Sequence, residues 1–412
     1  MADHVSVRMY DVGFGDSFLI QFPVDGLRPF RVLVDCGAHS SGYPRAGWQP
    51  EDVVRQIIDD VDDGDGLHID IVIATHRHQD HVSGFRAPVW SNVTVGEVWM
   101  PWTEHPTDPD AVALRRRQLR LADGLHQALN LKLAAAPGDK RLTSLLDMVT
   151  NALANEAAMR TLHSGFKGRP RHQFLSSGKP ATISPEGCPG LTVHVMGPSR
   201  DERVIRDMDP PAGQSYLRFT DGDHAPDAAG VQRPFTRQFA FTEDTFAAHW
   251  PGLVLQPTIK EAASAMTRDD DVAAAVALDK AINGTSLMLM FEFGDAFLLF
   301  PGDAQWGTWR AALDNPTDRA LLERTTFYKV GHHGSHNATP RELLEEVLSG
   351  RQMWGAAASV HHVGQWPQIP KPELMHQLEQ SAQRVRRSDE PGVSADGVTV
   401  VPDIGIDFDI PF

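Results

Sequence analysis

Short apolar runs separated by polar turns fill the first hundred residues, a pattern typical of β-strands. Hydrophobic side chains recur at every second position in Val5, Val7 and Met9, which predicts a strand with one buried face. The segment Pro50-Glu51-Asp52 opens a predicted helix, because apolar residues then recur with helical spacing up to Ile58. Further apolar runs predict strands at 18–22, 31–35, 69–74 and 93–100.

The pattern becomes helical between residues 104 and 180, where Ala, Leu and Arg dominate. Two helices are predicted there, over 111–135 and about 143–162, and we interpret 104–180 as a helical insertion. A polar, Pro- and Asp-rich stretch at 199–234 predicts a long loop. The remaining elements are predicted as helices at 261–280 and 372–384 and as strands at 191–196, 287–293, 297–300, 327–330, 355–360 and 397–401.

Strands followed by a helix occur twice along the chain, once in each half. This order of elements predicts an α/β (α+β) protein built as a two-halved sandwich. A chain of 412 residues, 41% of them hydrophobic, can fill one large core, and we expect a single domain over 1–412.

The formal net charge of −16 argues against a general nucleic-acid-binding surface. A local basic concentration lies in the insertion, at Arg115, Arg117, Lys167 and Arg171. These residues could form a phosphate-binding wall beside an active site, or simply a solvated helix face and loop. A nucleic-acid partner is therefore expected only at this local patch.

No stretch reaches the length of a membrane span, and the first residues lack the basic, apolar and cleavage regions of a signal peptide. We therefore expect a cytoplasmic protein with no membrane partner. Cys36 and Cys188 are too few for a disulfide framework, and we assign neither to a metal. The sequence leaves the oligomeric state open.

Three histidines and a carboxylate crowd the run Thr75-His76-Arg77-His78-Gln79-Asp80-His81, directly after the apolar strand 69–74. Imidazole nitrogens and carboxylate oxygens suit zinc or another first-row ion. Alternate positions let His76 and His78 reach one metal while Asp80 and His81 reach a second. The alternative is a His-rich surface loop.

Three other strand ends carry candidate ligands: Asp35, Asp303 within Pro301-Gly302-Asp303-Ala304, and His332 or His333 within a Gly-rich turn. One rim of a layered fold could gather them with the His76–His81 run. Ligands so far apart in sequence fit a metal in an open cleft better than a local zinc clip, and a hydrolytic metal needs that open position.

These motifs, in this order, resemble those of the metallo-β-lactamase superfamily of hydrolases, and specifically the hydrolase domain of the ComEC-type competence proteins. The resemblance covers most of the chain outside 104–180 and implies a four-layer αββα sandwich with metals at one edge between two sheets. The residues that carry it are 11–17 (DVGFGDS), 33–37 (LVDCG), 75–81 (THRHQDH), Asn283 with Ser286-Leu287, 301–304 (PGDA) and 329–335 (KVGHHGS).

The resemblance also implies which side chains bind metal. The last motif offers two histidines, and the first is preferred because it is the ligand in related turns. Carried over by position, the implied ligands are His76 and His78 for a first metal, Asp80 and His81 for a second, Asp303 as a bridge between them, and His332 rather than His333.

Other positions are implied to act around the metals. Asp35 would orient the histidine turn without touching metal, while Asp16 and Ser17 would lie at the mouth of the cleft. His336 and Asn337 follow the last motif and are candidates to hold substrate oxygens or to protonate a leaving group. The alternative for these two is a capped loop before Pro340.

One motif departs from the superfamily, which usually supplies another histidine between the second and fourth motifs. The corresponding stretch Val195-Met196-Gly197-Pro198 has none, as is often so in the ComEC-like branch. His194 falls on the opposite parity of that strand and is an alternative ligand. The first metal site is therefore expected to be weak, or completed by water, His361 or His362.

A bound metal lowers the pKa of its water and generates a hydroxide that can attack phosphorus or a carbonyl carbon, and Asp80 could orient or deprotonate that water. We expect a metal-dependent hydrolase, foremost a phosphodiesterase or nuclease. The alternatives are a hydrolase of small neutral esters, lactones, thioesters or peptides, and a non-catalytic metal-binding interaction module. One or two zinc ions are expected, with manganese or iron as alternatives, because mixed His and carboxylate sets accept all three.

Overall fold

Two β-sheets dominate the computed structural model, which describes residues 3–216 and 270–412 apart from positions 136, 154, 179, 338 and 364–367. The first sheet has eight strands in the order β14-β15-β1-β2-β3-β4-β5-β6. Pairing is antiparallel from β14 to β3 and parallel from β3 to β6. These strands are β1 (His4–Tyr10), β2 (Ser17–Phe22), β3 (Phe30–Cys36), β4 (His68–Ile73), β5 (Thr94–Pro101), β6 (Arg171–Leu175), β14 (Val398–Val401) and β15 (Gly405–Pro411).

The second sheet has seven strands in the order β13-β12-β11-β10-β9-β8-β7. Here β13 to β10 pair in parallel and β10 to β7 antiparallel, so both sheets are mixed. The strands are β7 (Thr182–Ile183), β8 (Leu191–Gly197), β9 (Met288–Phe293), β10 (Ala296–Phe300), β11 (Phe327–Lys329), β12 (Gly355–Ala358) and β13 (Val385–Arg387).

Helices in the described residues cover the outer faces of the sheets and form a separate layer in the middle of the chain. They are α1 (Pro50–Val61), α2 (Gln79–Val82), α3 (Pro109–Ala135), α4 (Lys140–Leu153), α5 (Glu156–Ser164), α6 (Glu202–Ile205), α7 (Asp270–Asn283), α8 (Trp306–Asp314), α9 (Pro316–Leu322) and α10 (Pro372–Ser381). Short 3-10 or π turns lie at Ser83–Arg86, Pro88–Asn92, Trp102–Glu104, Ala212–Gln214, Gly331–Gly334 and Leu343–Val347. None of the helices described combines the length and hydropathy needed to cross a membrane.

Three apolar cores show how the layers stack. Alternate residues of both sheets meet in a central core that includes Val7, Val34 and Phe291. The opposite face of the first sheet packs with α1 and α5, and that of the second sheet packs with α8 and α10. Because an alternating strand buries both faces in such an arrangement, the fold is the four-layer αββα sandwich that the sequence predicted.

The predicted elements differ from the structure at a few places. Arg171–Leu175 is a strand that pairs with β5, so the loop expected around Arg171 is wrong there. The helix expected over 143–162 is divided into α4 and α5. Part of the loop predicted at 199–234 forms α6, while its residues 217–234, like 261–269 of the next predicted helix, lie outside the described residues.

Helices α3, α4 and α7 share an apolar core of their own, built from side chains such as Leu129, Val149 and Leu278. The layer touches the histidine turn through α4, where Asn151 accepts a hydrogen bond from the backbone N–H of Gln79 at 2.7 Å. Helix α4, which lies in the segment interpreted as an insertion, therefore contacts the histidine turn.

Candidate metal centre

Four strand ends meet at one edge of the sandwich. Strands β3 and β4 are parallel neighbours in the first sheet, and β10 and β11 are parallel neighbours in the second, so each pair delivers its C-terminal ends to the same rim. The side chains brought together there are Asp35 after β3, the His76–His81 turn after β4, Asp303 after β10, and His332 and His333 after β11.

The histidine turn is packed tightly against the end of β3. The backbone N–H and hydroxyl of Thr75 each donate to the Asp35 carboxylate at 2.7 Å. A Cβ atom on Gly37 would lie 2.5 Å from the backbone of Asp80 and His81, which only glycine avoids. The turn is therefore held by its backbone before any metal binds.

Asp80, His81, Asp303 and His333 form a group that we call the Asp80 site, with one potential ligand atom from each residue within 4.8 Å of the others. His333 Nε2 lies 3.2 Å from Asp80 Oδ2, and His81 Nε2 lies 3.3 Å from Asp303 Oδ2. His81 Nε2 is buried and has no hydrogen-bond partner in this group. Two imidazoles and two carboxylates converging in this way fit one divalent ion.

His76 and His78 form a second pair, the His76 site. His76 Nε2 faces His78 Nδ1 at 3.1 Å. Two nitrogen ligands of one tetrahedral zinc ion, each 2.0–2.1 Å from the metal, are about 3.3 Å apart, so the pair is correctly spaced for a shared ion. Within the described residues, no third His, Cys, Asp or Glu atom completes this pair at the 4.8 Å spacing of the Asp80 site.

Outer contacts fix the ligands of the Asp80 site. His81 Nδ1 donates to Asp35 Oδ2 at 2.8 Å, and His333 Nδ1 donates to the carbonyl of Ser359 at 2.9 Å. Both bonds leave Nε2 free to face the other ligands. Such second contacts set the tautomer and orientation of metal-binding histidines.

A buried charge network lies behind the ligands. The ammonium of Lys329 forms an ion pair with Asp16 and lies 4.0 Å from Asp303 Oδ1, with all three side chains almost fully buried. Burial lowers the pKa of Lys329, but the carboxylates of Asp16 and Asp303 outweigh burial and raise it. One fixed positive charge therefore stands among several carboxylates, which keeps the rim net negative and suited to a cation.

The two sites differ in their pKa shifts. Burial lowers the pKa of His78 to about 4 and holds that of His76 well below its usual range. Burial acts in the same sense on His81, but the carboxylates of Asp303 and Asp35 prevail and raise its pKa well above its usual range. At neutral pH the His76 site therefore presents neutral imidazoles, the form that binds metal.

The last motif directs its second histidine inward. His332 and His333 both have left-handed backbone conformations, with φ of 42° and 51°, which are rare for residues other than glycine. This places the side chain of His333 fully inside the Asp80 site, while His332 is 19% exposed and its Nε2 lies 3.9 Å from Asp303 Oδ2. The geometry favours His333 as a ligand, although the sequence analysis preferred His332.

Asp16 and Ser17 do not line an open cleft mouth, because both are buried below the ligands. Asn337 is buried as well and bonds to Gln305 at 2.6 Å, so it braces the last turn. His336 is one-third exposed, with Nε2 3.9 Å from Asp209 Oδ1. Of the residues expected to meet substrate, His336 alone among these four is at the surface.

The basic residues of the insertion contact other groups. Arg115 donates to the carbonyls of Thr103 and His105, and Arg117 pairs with Glu202 at 2.9 Å. Arg171 pairs with Glu97, and Lys167 is exposed beside β5. The three arginine side chains thus have local protein partners, which argues against one shared basic wall.

The alternative ligands also lie apart from the two sites. His194 Nε2 bonds to Glu292 at 2.7 Å on the second sheet. His361 is half-buried, and the exposed His362 lines a cavity of about 500 Å³ with residues such as Pro370 and His376. Neither fills the place beside His76 and His78.

Sequence reasoning missed Asp279, Lys329 and Asn151. Asn151 Nδ2 donates to Asp80 Oδ1 at 3.3 Å from α4. Asp279 on α7 points Oδ1 towards His78 Nε2 at 3.7 Å, and burial, together with the charges of Asp80 and Asp303, raises its pKa to about 7. Lys329 could have been noticed from the sequence, because it is a lysine within the apolar run 327–330. Asn151 and Asp279 lie in helices whose sequence gives no such signal.

Comparisons with known proteins give a distant likeness to solved structures. No protein-family model matches the chain, and no curated protein does. Among solved structures, zinc-bound PqqB from Methylobacterium extorquens is similar over 93% of this chain and 97% of its own, with 9% sequence identity and a TM-score of 0.37. At this distance the likeness carries no argument about function.

Proposed function

We propose that the protein is a metal-dependent hydrolase of the metallo-β-lactamase type. The observation that carries this proposal is the Asp80 site, where Asp80, His81, Asp303 and His333 converge from three separate strand ends. Their oxygen and nitrogen atoms fit zinc first, with manganese or iron as alternatives. A divalent ion bound there would polarise a substrate oxygen and lower the pKa of a bound water.

The protein's own residues divide the work around that ion. Asp303 and His81 face each other at 3.3 Å and hold the centre, while Asp35 fixes the His81 tautomer from behind. Asp80 has one oxygen towards His333 and the other towards Asn151, so it is oriented on both sides. His336, at the surface next to the last turn, is the candidate to hand a proton to a leaving group.

Phosphodiesters are the substrate class that we propose first. The His76 site lies directly beside the Asp80 site, since His76 and His81 have ring centroids 4.1 Å apart. Neighbouring ion sites are the usual arrangement for in-line displacement at phosphorus, because one ion stabilises the attacking oxygen and the other the leaving oxygen. The ComEC-like resemblance of the motifs points the same way, towards a nuclease.

Small neutral esters, lactones, thioesters or peptides are the second candidate. One observation favours them: Arg115, Arg117 and Arg171 are bound to other protein groups and supply no free positive wall for a polyanion. The net charge of −16 acts in the same direction. The cleft itself would then select substrates by shape rather than by charge.

A substrate panel separates these candidates. The full chain is stripped with EDTA, reloaded with zinc or manganese, and assayed on bis-p-nitrophenyl phosphate, linear and circular DNA, and a set of lactones. We expect metal-dependent turnover of the phosphodiester, lost in His78→Ala and retained in His126→Ala, a half-buried histidine on α3 away from both sites. Turnover of lactones alone would exclude the nuclease, and undiminished activity in His78→Ala would exclude a role for the His76 site in hydrolysis.

A further inference from the structure

His78 differs from the other candidate ligands in what stands behind its ring. The second nitrogen of His81 bonds to Asp35 at 2.8 Å, that of His333 to the Ser359 carbonyl at 2.9 Å, and that of His76 lies 3.2 Å from the Thr75 hydroxyl. His78 Nε2 is buried and has no hydrogen-bond partner. A buried N–H without a partner is costly, so a nearby acceptor is expected.

Asp279 is the acceptor within reach. Its carboxylate projects from α7, is 19% exposed, and holds Oδ1 3.7 Å from His78 Nε2. Asn283, one turn further along the same helix, donates to Oδ2 at 3.4 Å and keeps the carboxylate facing the ring. A movement of less than about 1 Å brings the pair into hydrogen-bond distance.

The two edges of the His78 ring face different groups. Nδ1 faces His76 Nε2 at 3.1 Å, on the side where an ion would bind, and Nε2 faces Asp279 on the other side. The carboxylate therefore stands behind the ligand rather than beside it. This is the carboxylate–histidine–metal arrangement, which fixes the tautomer and makes the imidazole a stronger donor.

We infer that Asp279 is the positioning residue for His78, and that it strengthens binding of a second divalent ion at the His76 site, to which the described part of the chain brings no third histidine. This inference rests on the proposed metal centre. It gives the helical layer a function, because α7 packs against α3 and α4 through Leu278 and Ile282 and so holds Asp279 in place. Helices α3 and α4, which lie in the segment interpreted as an insertion, would then support the helix that completes the weaker of two ion sites.

Metal titration tests the inference without any substrate. Metal-free full-length protein is titrated with cobalt(II) alone, followed by visible absorption, and with zinc(II) alone by calorimetry. We expect two ions in the wild type, with the weaker one lost or weakened about 10- to 100-fold in Asp279→Asn and Asp279→Ala. The tighter ion keeps its affinity in both variants, and Asp314→Asn, an exposed aspartate on α8, changes neither.

A spectroscopic readout separates positioning from a structural role. Cobalt-loaded wild type should show a paramagnetically shifted, exchangeable N–H proton from His78, which disappears through faster solvent exchange in Asp279→Ala. Circular dichroism of the metal-free variants checks the fold. Should Asp279→Ala fail to fold, Asp279→Asn, which keeps the side-chain size, provides the test.

Two results would overturn the inference. One is that the wild type binds a single ion, and the other is that the weaker ion binds Asp279→Asn as tightly as it binds the wild type. Two ions without hydrolysis would instead remove the proposed function and leave this inference standing.

Discussion

The Asp80 site and the His76 site are built from the same turn of chain, yet their ligands are held in different ways. The Asp80 site draws its residues from the ends of β4, β10 and β11, and outer contacts of 2.8–2.9 Å orient its histidines. The His76 site has two histidines, and its nearest outer carboxylate comes from a helix at 3.7 Å.

The difference shows that the two sheets position the ligands of the Asp80 site, whereas the helical layer of α3, α4 and α7 supports the His76 site. Strand ends are fixed by the hydrogen bonds of their sheets, so ligands and outer contacts placed on them are held in defined positions. A ligand braced from a helix depends on how that helix packs. The Asp80 site should therefore keep its affinity for its ion when α7 is altered, while the ion affinity of the His76 site should change.

Removing the buried cation should have the largest effect. Lys329→Met leaves Asp16 buried and unpaired, and losing one partner of a buried ion pair costs about 3–5 kcal/mol. We expect urea unfolding of the metal-free protein to show this loss. Lys140→Met, which removes an exposed lysine at the start of α4, should change the free energy of unfolding by less than about 0.5 kcal/mol. A similar small change for both variants would mean that Lys329 does not balance the carboxylates.

Replacing each histidine of the last turn separately by alanine tests which one belongs to the Asp80 site. His333→Ala should weaken the tighter ion at least 100-fold, whereas His332→Ala should weaken it less than about threefold, because His332 lies at the rim. Both positions have left-handed backbones, so the strain of each substitution is similar and the contrast reports metal binding. Zinc calorimetry measures the affinity of each variant. A larger loss in His332→Ala than in His333→Ala would identify His332 as the ligand.

Asp279 should make metal-free stability depend on pH. Its pKa of about 7 in the folded protein compares with about 3.9 in an unfolded chain. Between these values the folded protein keeps a proton that the unfolded chain has lost, so this group lowers stability as pH rises from about 4 to about 7. Asp279→Asn should equal the wild type at pH 4 and be more stable above pH 7, by at most about 4 kcal/mol, because one pKa unit corresponds to about 1.4 kcal/mol.

Urea unfolding at several pH values in EDTA measures that difference. Asp314→Asn, whose carboxylate is exposed, should follow the wild type throughout. A constant difference between Asp279→Asn and wild type would show that the Asp279 charge carries no cost in the folded protein.

The sequence predicted the strand-borne part of this centre and missed the helix-borne part for one physical reason. A ligand at a strand end stands next to an apolar run of recognisable period, so Asp303 and the His76–His81 turn were marked by position. Asp279 lies in an Ala-rich helix about 200 residues from His78, and its role depends on packing that no local pattern encodes. The same holds for Asn151 on α4, which meets Asp80 only after the helices assemble.

The choice between His332 and His333 depends on backbone geometry that the sequence pattern does not carry. Two adjacent histidines are equivalent as a pattern, and only their left-handed backbone decides which one faces the ligands. Asp16 and Ser17 were expected at a cleft mouth because the resemblance of their motif implied it. The structure buries them, since the glycine at position 15 lets the turn pack closely against Gly37 and Asp80.

The smallest expected effect comes from the contact between the helical layer and the Asp80 site. Asn151→Ala removes the acceptor of the Gln79 N–H at 2.7 Å and the donor to Asp80 at 3.3 Å, which should cost about 1–2 kcal/mol. The tighter ion should weaken only a few-fold, because Asp80 keeps its strand-borne neighbours. Asn130→Ala, at an exposed position on α3, is the matched control for zinc calorimetry and urea unfolding. A loss of the tighter ion in Asn151→Ala would show that both sites, and not the His76 site alone, depend on the helical layer.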